Sequence, residues 1–204
     1  MADGDGINGV TNTFASALWA IDIGIEFALF GGSNIKYPVD INANNYQSVL
    51  GPAPDYAPNP IYYGLLFLTM FSYINPQIGR PITIPGSSSN IKAYGMTIQN
   101  QLQIVLLNKD TNPNASGVVQ ILIKANDIIQ CLYLTGSSLS ATTNITWAGF
   151  TFIGGNSTPQ GNYTVASSLP TSEGVYNIPL AYAQAALCYL GNPDSAFTVG
   201  VTAH

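Results

Sequence analysis

The sequence predicts a mainly β protein, in which an antiparallel β-sandwich follows a helix-strand-helix segment. Apolar and polar residues alternate with a period of two in most segments after Pro81, which is typical of half-buried strands. Before Pro81 the order is helix, short extended segment, long loop and helix, as in one repeat of a parallel (β/α) structure. A single repeat has no parallel strand to pair with, so we expect this segment to be part of something larger.

The helix-strand-helix segment begins with a helix predicted over residues 13–30. Thr13 is its candidate N-cap, and Gly31-Gly32 ends it. Residues 33–39 are predicted to be a short strand, and residues 40–59 a long loop.

The second helix is predicted within the stretch from Asn59 to Tyr73, NPIYYGLLFLTMFSY. Asn59 is a candidate cap, Pro60 suits the first helical position, and Asn75-Pro76 ends the pattern. Because this helix is apolar on nearly every side, we expect it to be buried on nearly every side.

Asp22 and Glu26 lie four residues apart on one stripe of the first helix. Two carboxylates at this spacing could hold a cation. We favour the interpretation that Asp22 and Glu26 form the solvent-facing stripe of a barrel helix.

The second half of the chain contains several short apolar segments separated by clusters of Gly, Asn, Ser and Pro. Such segments predict the strands of a sandwich. The predicted strand segments are 91–99 and 102–109, paired as a hairpin around Asn100-Gln101, then 118–124, 128–134, 145–153 and 175–190.

Composition excludes some classes of function. The chain is 47% hydrophobic but only 7% charged, with a net charge of −5, which argues against a nucleic-acid surface. No basic amphipathic helix or bilayer-length apolar run indicates a membrane. The N-terminal MADGDGING has neither the basic start nor the apolar run of a signal peptide.

Features of the polar second half nevertheless indicate a secreted glycoprotein. Four Asn-x-Ser/Thr sequons are present, at Asn114, Asn144, Asn156 and Asn162. The cysteines Cys131 and Cys188 could form one disulfide in an oxidising compartment. Two buried free thiols are the alternative.

Other chemistry is sparse. His204 is the only histidine and the last residue, which argues against histidine-based triads and most zinc sites. No metal site and no cofactor are therefore predicted. The tyrosines at positions 46, 56, 62 and 63 could form a sugar-stacking platform, although core packing is favoured for Tyr62 and Tyr63.

Several segments together resemble one family of glycosidases. TFASALWAIDIGIEFALFGGSNIKYPV, followed by a loop and PIYYGLLFL, is similar to the last barrel segment of glycoside hydrolase family 79. IVLLNKD and CLYLTGSSLSATTNITWAG are similar to its sandwich. The family contains the heparanases and related β-glucuronidases, and the resemblance covers roughly residues 13 to 190. It implies a (β/α)₈ barrel bearing a C-terminal β-sandwich, with this chain supplying the last barrel unit.

The resemblance also implies retaining hydrolysis by two glutamates on earlier barrel strands, outside this chain. Such a site needs two carboxylates about 5 to 5.5 Å apart, and the chain has only Glu26 and Glu173. Asn34, Lys36 and Tyr37 would be its residues nearest a substrate if the barrel were complete. They depart from the family pattern of Gly-x-Asn, an aromatic and a histidine. Lys36 could pair with an acidic sugar or simply be a solvated strand-end lysine.

These observations predict four regions: a loose N-terminal segment at 1–12, the barrel-like segment at 13–76, the sandwich at 77–192 and a tail at 193–204. The predicted function is the non-catalytic C-terminal portion of a secreted, family 79-like β-glycosidase. The alternative is a glycosylated extracellular structural or carbohydrate-binding protein. We expect the partner to be the remaining barrel polypeptide or further copies of the chain, and carbohydrate is a candidate ligand. The ancestry resembles a retaining glycoside hydrolase, but we expect this chain alone to be inactive.

Overall fold

A computed structural model describes most of the chain. The described ranges are 6–37, 48–51, 56–72, 77–82, 90–98, 101–114, 117–123, 127–153, 159–190 and 198–203. The chain divides into two compact units: residues 1–70 with 134–164, and residues 71–133 with 165–204. The first unit thus combines the helical region with part of the region predicted as sandwich. The sequence-based boundaries at residues 13, 77 and 193 remain predictions.

The first unit contains the helices and several very short strands. Its elements are α1 (Phe14–Leu29), β1 (Val49–Leu50), β2 (Ala57–Pro58), α2 (Pro60–Ser72, of which residues 60–70 belong here), β8 (Thr146–Trp147), β9 (Phe150–Thr151) and β10 (Gln160–Gly161). The helix bounds agree with the prediction to within a residue or two. Neither helix has the combination of length and hydropathy that a bilayer crossing requires.

A loop, rather than a capping side chain, holds the start of α1. Thr13 stands at the N-cap but its side chain makes no cap hydrogen bond; its hydroxyl donates to the carbonyl of Val10 instead. The first backbone N–H groups of α1 donate to the carbonyls of Leu139 and Ala141 at 2.8 and 2.7 Å. Thr13 thus occupies the predicted N-cap position, but its side chain does not cap the helix, because the 139–141 loop already supplies acceptors for these N–H groups.

The two helices are in close contact at Gly64 of α2. A Cβ placed on Gly64 would lie 2.9 Å from the Cα of Ala17 in α1, so only glycine allows this contact. The neighbouring side chains of Ile61 and Phe67 are buried. α2 is thus largely covered, as predicted, except near Thr69 and Met70, which are exposed.

The predicted solvent-facing stripe of α1 is wrong for Asp22, which is buried, while Glu26 is half-buried. Asp22 is only 9% exposed, whereas Trp19 and Phe27 are 44% and 38% exposed. Apolar residues cover most of this helix, so a narrow polar stripe cannot decide which side faces inward. The surfaces that pack around α1 decide it instead.

The second unit is the sandwich. Its strands are β3 (Gln77–Ile82), β4 (Ile91–Ile98), β5 (Gln101–Asn108), β6 (Gly117–Leu122), β7 (Ile129–Thr135, of which residues 129–133 belong here), β11 (Ala166–Ser168), β12 (Val175–Leu180), β13 (Gln184–Leu190) and β14 (Thr198–Ala203). In one sheet the order is β7-β13-β5-β4-β3, with β11 beside β7; the other sheet is β12-β6-β14. The predicted fold class, mainly antiparallel β preceded by a helical segment, is confirmed.

Alternate residues of the two sheets meet in one core. The core residues are Ile91, Ala93, Leu102, Ile104, Leu106, Val119, Ile121, Ile123, Ile129, Cys131, Tyr176, Ile178, Leu180, Ala186, Cys188 and Leu190. The intervening residues of β5, including Val105 and Leu107, are buried as well. This sheet is therefore apolar on both faces, which explains the nearly continuous apolar run of β5.

Two predicted strands are each divided by a turn. Within 145–153, Ala148 and Gly149 both have positive φ, 49° and 83°, and they join β8 to β9 with Trp147 opposite Phe150. Positive φ at both central residues is the geometry of a type I′ hairpin. Within 175–190, the chain passes from β12, paired with β6, to β13, paired with β5. That step connects the two sheets.

Three further expectations need correction. Residues 33–37 form no strand, because the described chain offers no neighbouring parallel strand to pair with; residues 38–39 lie outside the described ranges. Residues 7–12 form hydrogen-bonded turns, with the N–H of Thr11 donating to the carbonyl of Ile7 at 2.9 Å. The tail contains β14, which pairs with β6.

The neighbouring strands β7 and β13 carry the two cysteines. Cys131 and Cys188 form a disulfide, with Cα atoms 4.0 Å apart and a sequence separation of 57. We predict that replacing both by alanine lowers the free energy of unfolding by about 4 kcal/mol, because the chain-entropy model assigns that order of stabilisation to such a loop. Urea denaturation of the two proteins measures the difference. Two alkylatable thiols in the unreduced, denatured wild type would contradict the bridge.

The helix contact at Gly64 gives a second prediction. Gly64→Ala is expected to lower the free energy of unfolding by about 1–3 kcal/mol, because the added methyl meets the backbone of Ala17. Gly24→Ala is the matched control, since its Cβ meets only the movable tip of Leu68. The Gly24→Ala substitution also stabilises α1 by up to about 1 kcal/mol, because alanine has the higher helix propensity. Equal effects of the two substitutions in thermal and urea unfolding would argue against the close helix contact.

Tyr176 gives a pH-dependent prediction. Its hydroxyl donates to the carbonyl of Asp127 at 2.7 Å, and burial, followed by the charge of Asp127, raises its pKa above 10.0. The folded state holds this proton more tightly than the unfolded state. The associated stability is therefore complete below about pH 10 and is lost as the pH rises through the folded-state pKa.

We expect Tyr176→Phe to be less stable at pH 8 by about 1 kcal/mol, since a partly buried hydrogen bond is lost. The gap between the two proteins should narrow above pH 10. Urea unfolding of both proteins at several pH values from 8 to about 11 measures this difference in stability. A gap that stays constant over this range would show that Tyr176 does not titrate as described.

Candidate functional site

The three predicted substrate-proximal residues follow α1 in irregular chain. Asn34 and Lys36 are exposed, and Tyr37 is half-buried. The hydroxyl of Tyr37 donates to the carbonyl of Ala20 at 3.4 Å, which ties this segment back to α1. Asn34 and Lys36 are thus accessible, and Tyr37 partly serves to position them.

The two glutamates do not belong to one compact unit. Glu26 lies in α1, and Glu173 lies in the turn before β12. Glu173 is exposed, and its N–H donates to the hydroxyl of Thr171 at 3.3 Å. Neither is at the end of a parallel strand, where the catalytic residues of barrels are found. No cluster of three or more metal-ligating side chains occurs in the described part of the chain.

α1 has an exposed apolar stripe, which we define as Trp19, Ile23, Phe27 and Phe30. These residues recur every three or four positions, and Phe30 is 87% exposed. A helix normally turns such a stripe towards the core. The stripe indicates that α1 is built to be covered on two sides.

Three of the four sequon asparagines can be placed. Asn114 is exposed, and its N–H donates to the side-chain oxygen of Asn112 at 3.0 Å. Asn144 and Asn162 are also exposed, in the first unit. Asn156 lies outside the described residues. Exposure at these three positions agrees with what N-glycosylation requires.

A cleft in the first unit was not foreseen from the sequence. It has a volume of about 370 Å³ and is lined by Ala57, Pro58, Tyr63, Thr142, Thr143, Asn144, Ile145, Thr151, Phe152 and Ile153. The lining combines apolar and aromatic side chains with hydroxyl and amide groups. This combination is characteristic of small-ligand sites.

Tyr63 organises the aromatic part of this cleft. Its hydroxyl accepts a hydrogen bond from the N–H of Phe152 at 2.9 Å and shares another with the hydroxyl of Thr151 at 3.1 Å. The rings of Tyr62 and Phe152 meet edge to face at 5.5 Å. Tyr63 is buried, as the core-packing interpretation predicts, and Tyr46 lies outside the described ranges. Neither the sequence spacing of Tyr63 and Phe152 nor their types signals that they meet.

The fold of this chain is similar to part of several solved glycosidase structures. The chain is similar to a 4-O-α-L-rhamnosyl-β-D-glucuronidase from Fusarium oxysporum 12S, with a TM-score of 0.73 and 22% identity over 92% of this chain and 41% of that chain. It is also similar to the GH51 arabinofuranosidase from Xanthomonas axonopodis pv. citri, with a TM-score of 0.56 and 13% identity over 88% and 36%. The chain is also similar to the catalytic domain of GH30 xylanase C from Talaromyces cellulolyticus. The TM-score is 0.54, with 13% identity over 93% of this chain and 39% of that chain. At these identities the likeness shows the fold alone.

The family follows from the sequence of the sandwich. Residues 93–187 match the model of the glycosyl hydrolase family 79 C-terminal beta domain. The resemblance to family 79 is thus confirmed for this part of the chain. No curated protein sequence matches the chain. The chain spans about two fifths of the length of the solved structures described above.

Proposed function

We propose that this chain is the non-catalytic C-terminal portion of a secreted, family 79-like β-glycosidase of the β-glucuronidase or heparanase type. The observation that carries the proposal is the match of residues 93–187 to the family's C-terminal β domain. In this proposal the sandwich supports a barrel, and both catalytic glutamates lie on polypeptide outside this chain.

The chain's own carboxylates support a non-catalytic role. A retaining site needs two carboxyl groups about 5–5.5 Å apart in a cleft. Glu26 is part of a helix and Glu173 part of an exposed turn in the other unit. Neither lines the cleft of the first unit.

The exposed stripe on α1 supports a partner polypeptide. Contiguous exposed apolar side chains mark surfaces that bind other protein, and Trp19 and Phe27 are both more than a third exposed. In a (β/α)₈ barrel each outer helix packs against its neighbours in the ring. The remaining barrel is therefore the partner that we propose, with another copy of the chain as the alternative.

Secretion and glycosylation are the remaining parts of the proposal. A disulfide between Cys131 and Cys188 suits an oxidising compartment. Asn114, Asn144 and Asn162 are accessible. In the complete enzyme Asn34, Lys36 and Tyr37 would border the substrate, with Lys36 able to pair with an acidic sugar.

This proposal predicts that the chain alone does not hydrolyse aryl β-glucuronides. Material from the native source that contains this sequence should hydrolyse them, and its intact mass should exceed the 21.6 kDa of this chain by the mass of a barrel as well as any glycan. Mass spectrometry after deglycosylation and a chromogenic assay measure the two properties.

The control for catalysis is Glu173→Gln in the isolated chain. Turnover by the purified chain that disappears in this variant would overturn the non-catalytic role. A deglycosylated native mass of 21.6 kDa, with no bound polypeptide, would overturn the assignment to a larger glycosidase.

A further inference from the structure

We propose that the cleft of the first unit binds a neutral pyranose sugar. The inference is independent of the proposed function, because it concerns binding by residues of this chain and requires no hydrolysis. It rests on the size, the chemistry and the rigidity of the cleft.

The size and the apolar lining suit one sugar ring or a short saccharide. A volume of about 370 Å³ lies at the lower end of the range for ligand pockets, about 300–1,000 Å³. Phe152, Ile153 and Pro58 supply apolar surface. One face of a pyranose ring presents C–H groups that can pack on such surface while its hydroxyls point outward.

The polar lining is uncharged. Thr142, Thr143 and Asn144 line the cleft and are exposed, so their polar groups are available to a ligand. Hydroxyls both donate and accept, and an amide does both at separate atoms, which matches the mixed donors and acceptors of sugar hydroxyls. Among the described residues that line the cleft, none is Lys, Arg, His, Asp or Glu. A carboxylated or sulfated sugar would therefore lose hydration there without gaining an ion pair.

The aromatic part of the cleft is formed before any ligand binds. The hydroxyl of Tyr63 holds the backbone of Phe152 at 2.9 Å, and the two rings lie 5.8 Å apart. A preformed wall reduces the entropy lost on binding.

The sugar has two possible sources. Asn144 lines the cleft and begins an Asn-x-Thr sequon, so a glycan attached to its side chain would start at the cleft. A free saccharide with a neutral end is the second source. N-acetylglucosamine represents both, because it is the first residue of an N-glycan and is neutral.

The test uses the chain expressed without glycosylation in an oxidising compartment. Saturation-transfer NMR with methyl N-acetyl-β-D-glucosaminide should show binding with a dissociation constant on the order of 1 mM, as expected for a ligand of this size. Methyl β-D-glucuronide at the same concentration should give at least about five-fold less transfer. Equal signals from the two sugars, or none from the neutral one at about 20 mM, would overturn the proposal.

Two variants locate the binding. Thr143→Arg places a long charged side chain on an exposed cleft position and should abolish the signal without disturbing the core. Phe152→Ala should weaken binding at least about ten-fold; if it unfolds, Thr143→Arg decides alone. The matched control is Tyr163→Ala, which removes a 60% exposed ring outside the cleft lining. Loss of signal in the control, or retention in Thr143→Arg, would contradict the cleft as the site.

The glycosylated chain separates the two sources. If the Asn144 glycan occupies the cleft, the glycosylated chain should not bind the added sugar. Thr146→Ala, which removes the sequon without changing a lining residue of the cleft, should regain binding when made in the same host. If a free saccharide is the ligand, both glycosylated proteins should bind it. Absence of binding in all forms would refute both.

Discussion

This structure depends on one constraint. Some of its strands and helices carry more apolar surface than a single packing layer can cover. Strand β5 buries Leu106 towards the sandwich core and Val105 on its opposite face, so its sheet must lie between two layers. α1 repeats the situation, because it buries Ile21 and Ile25 on one side and presents Trp19 and Phe27 on another. Both elements are made for interior positions. With 7% charged residues, the chain has few means of turning either surface towards water.

The need to cover this apolar surface also explains why two local sequence preferences are not followed in the structure. Thr13 is a good N-cap by type, yet the carbonyls of the 139–141 loop satisfy the start of α1. Asp22 and Glu26 suggest a solvent face, yet Asp22 is turned inward. In each case a tertiary contact contributes more free energy than the local preference, which amounts to about 1 kcal/mol for a cap.

The cleft and the stripe on α1 suggest a division of roles within the first unit. The stripe is apolar and exposed, as a surface for protein packing would be. The cleft is uncharged, and Tyr63 fixes its aromatic wall. The proposed sugar site and the proposed protein-packing surface would then use different residues of the first unit.

The sequence by itself determined the element types, both helices, the β4–β5 hairpin and the family of the sandwich. These are set by local periodicity and by residue order, which one chain contains in full. Only the tertiary structure decided the inward turn of Asp22, the division of 145–153 and 175–190 by turns, the strand in the tail and the lack of a strand at 33–37. Strand formation and helix facing depend on a partner surface, which sequence periodicity does not identify. The cleft was decided in the same way, since Tyr63 and Phe152 are 89 residues apart and only folding brings them together.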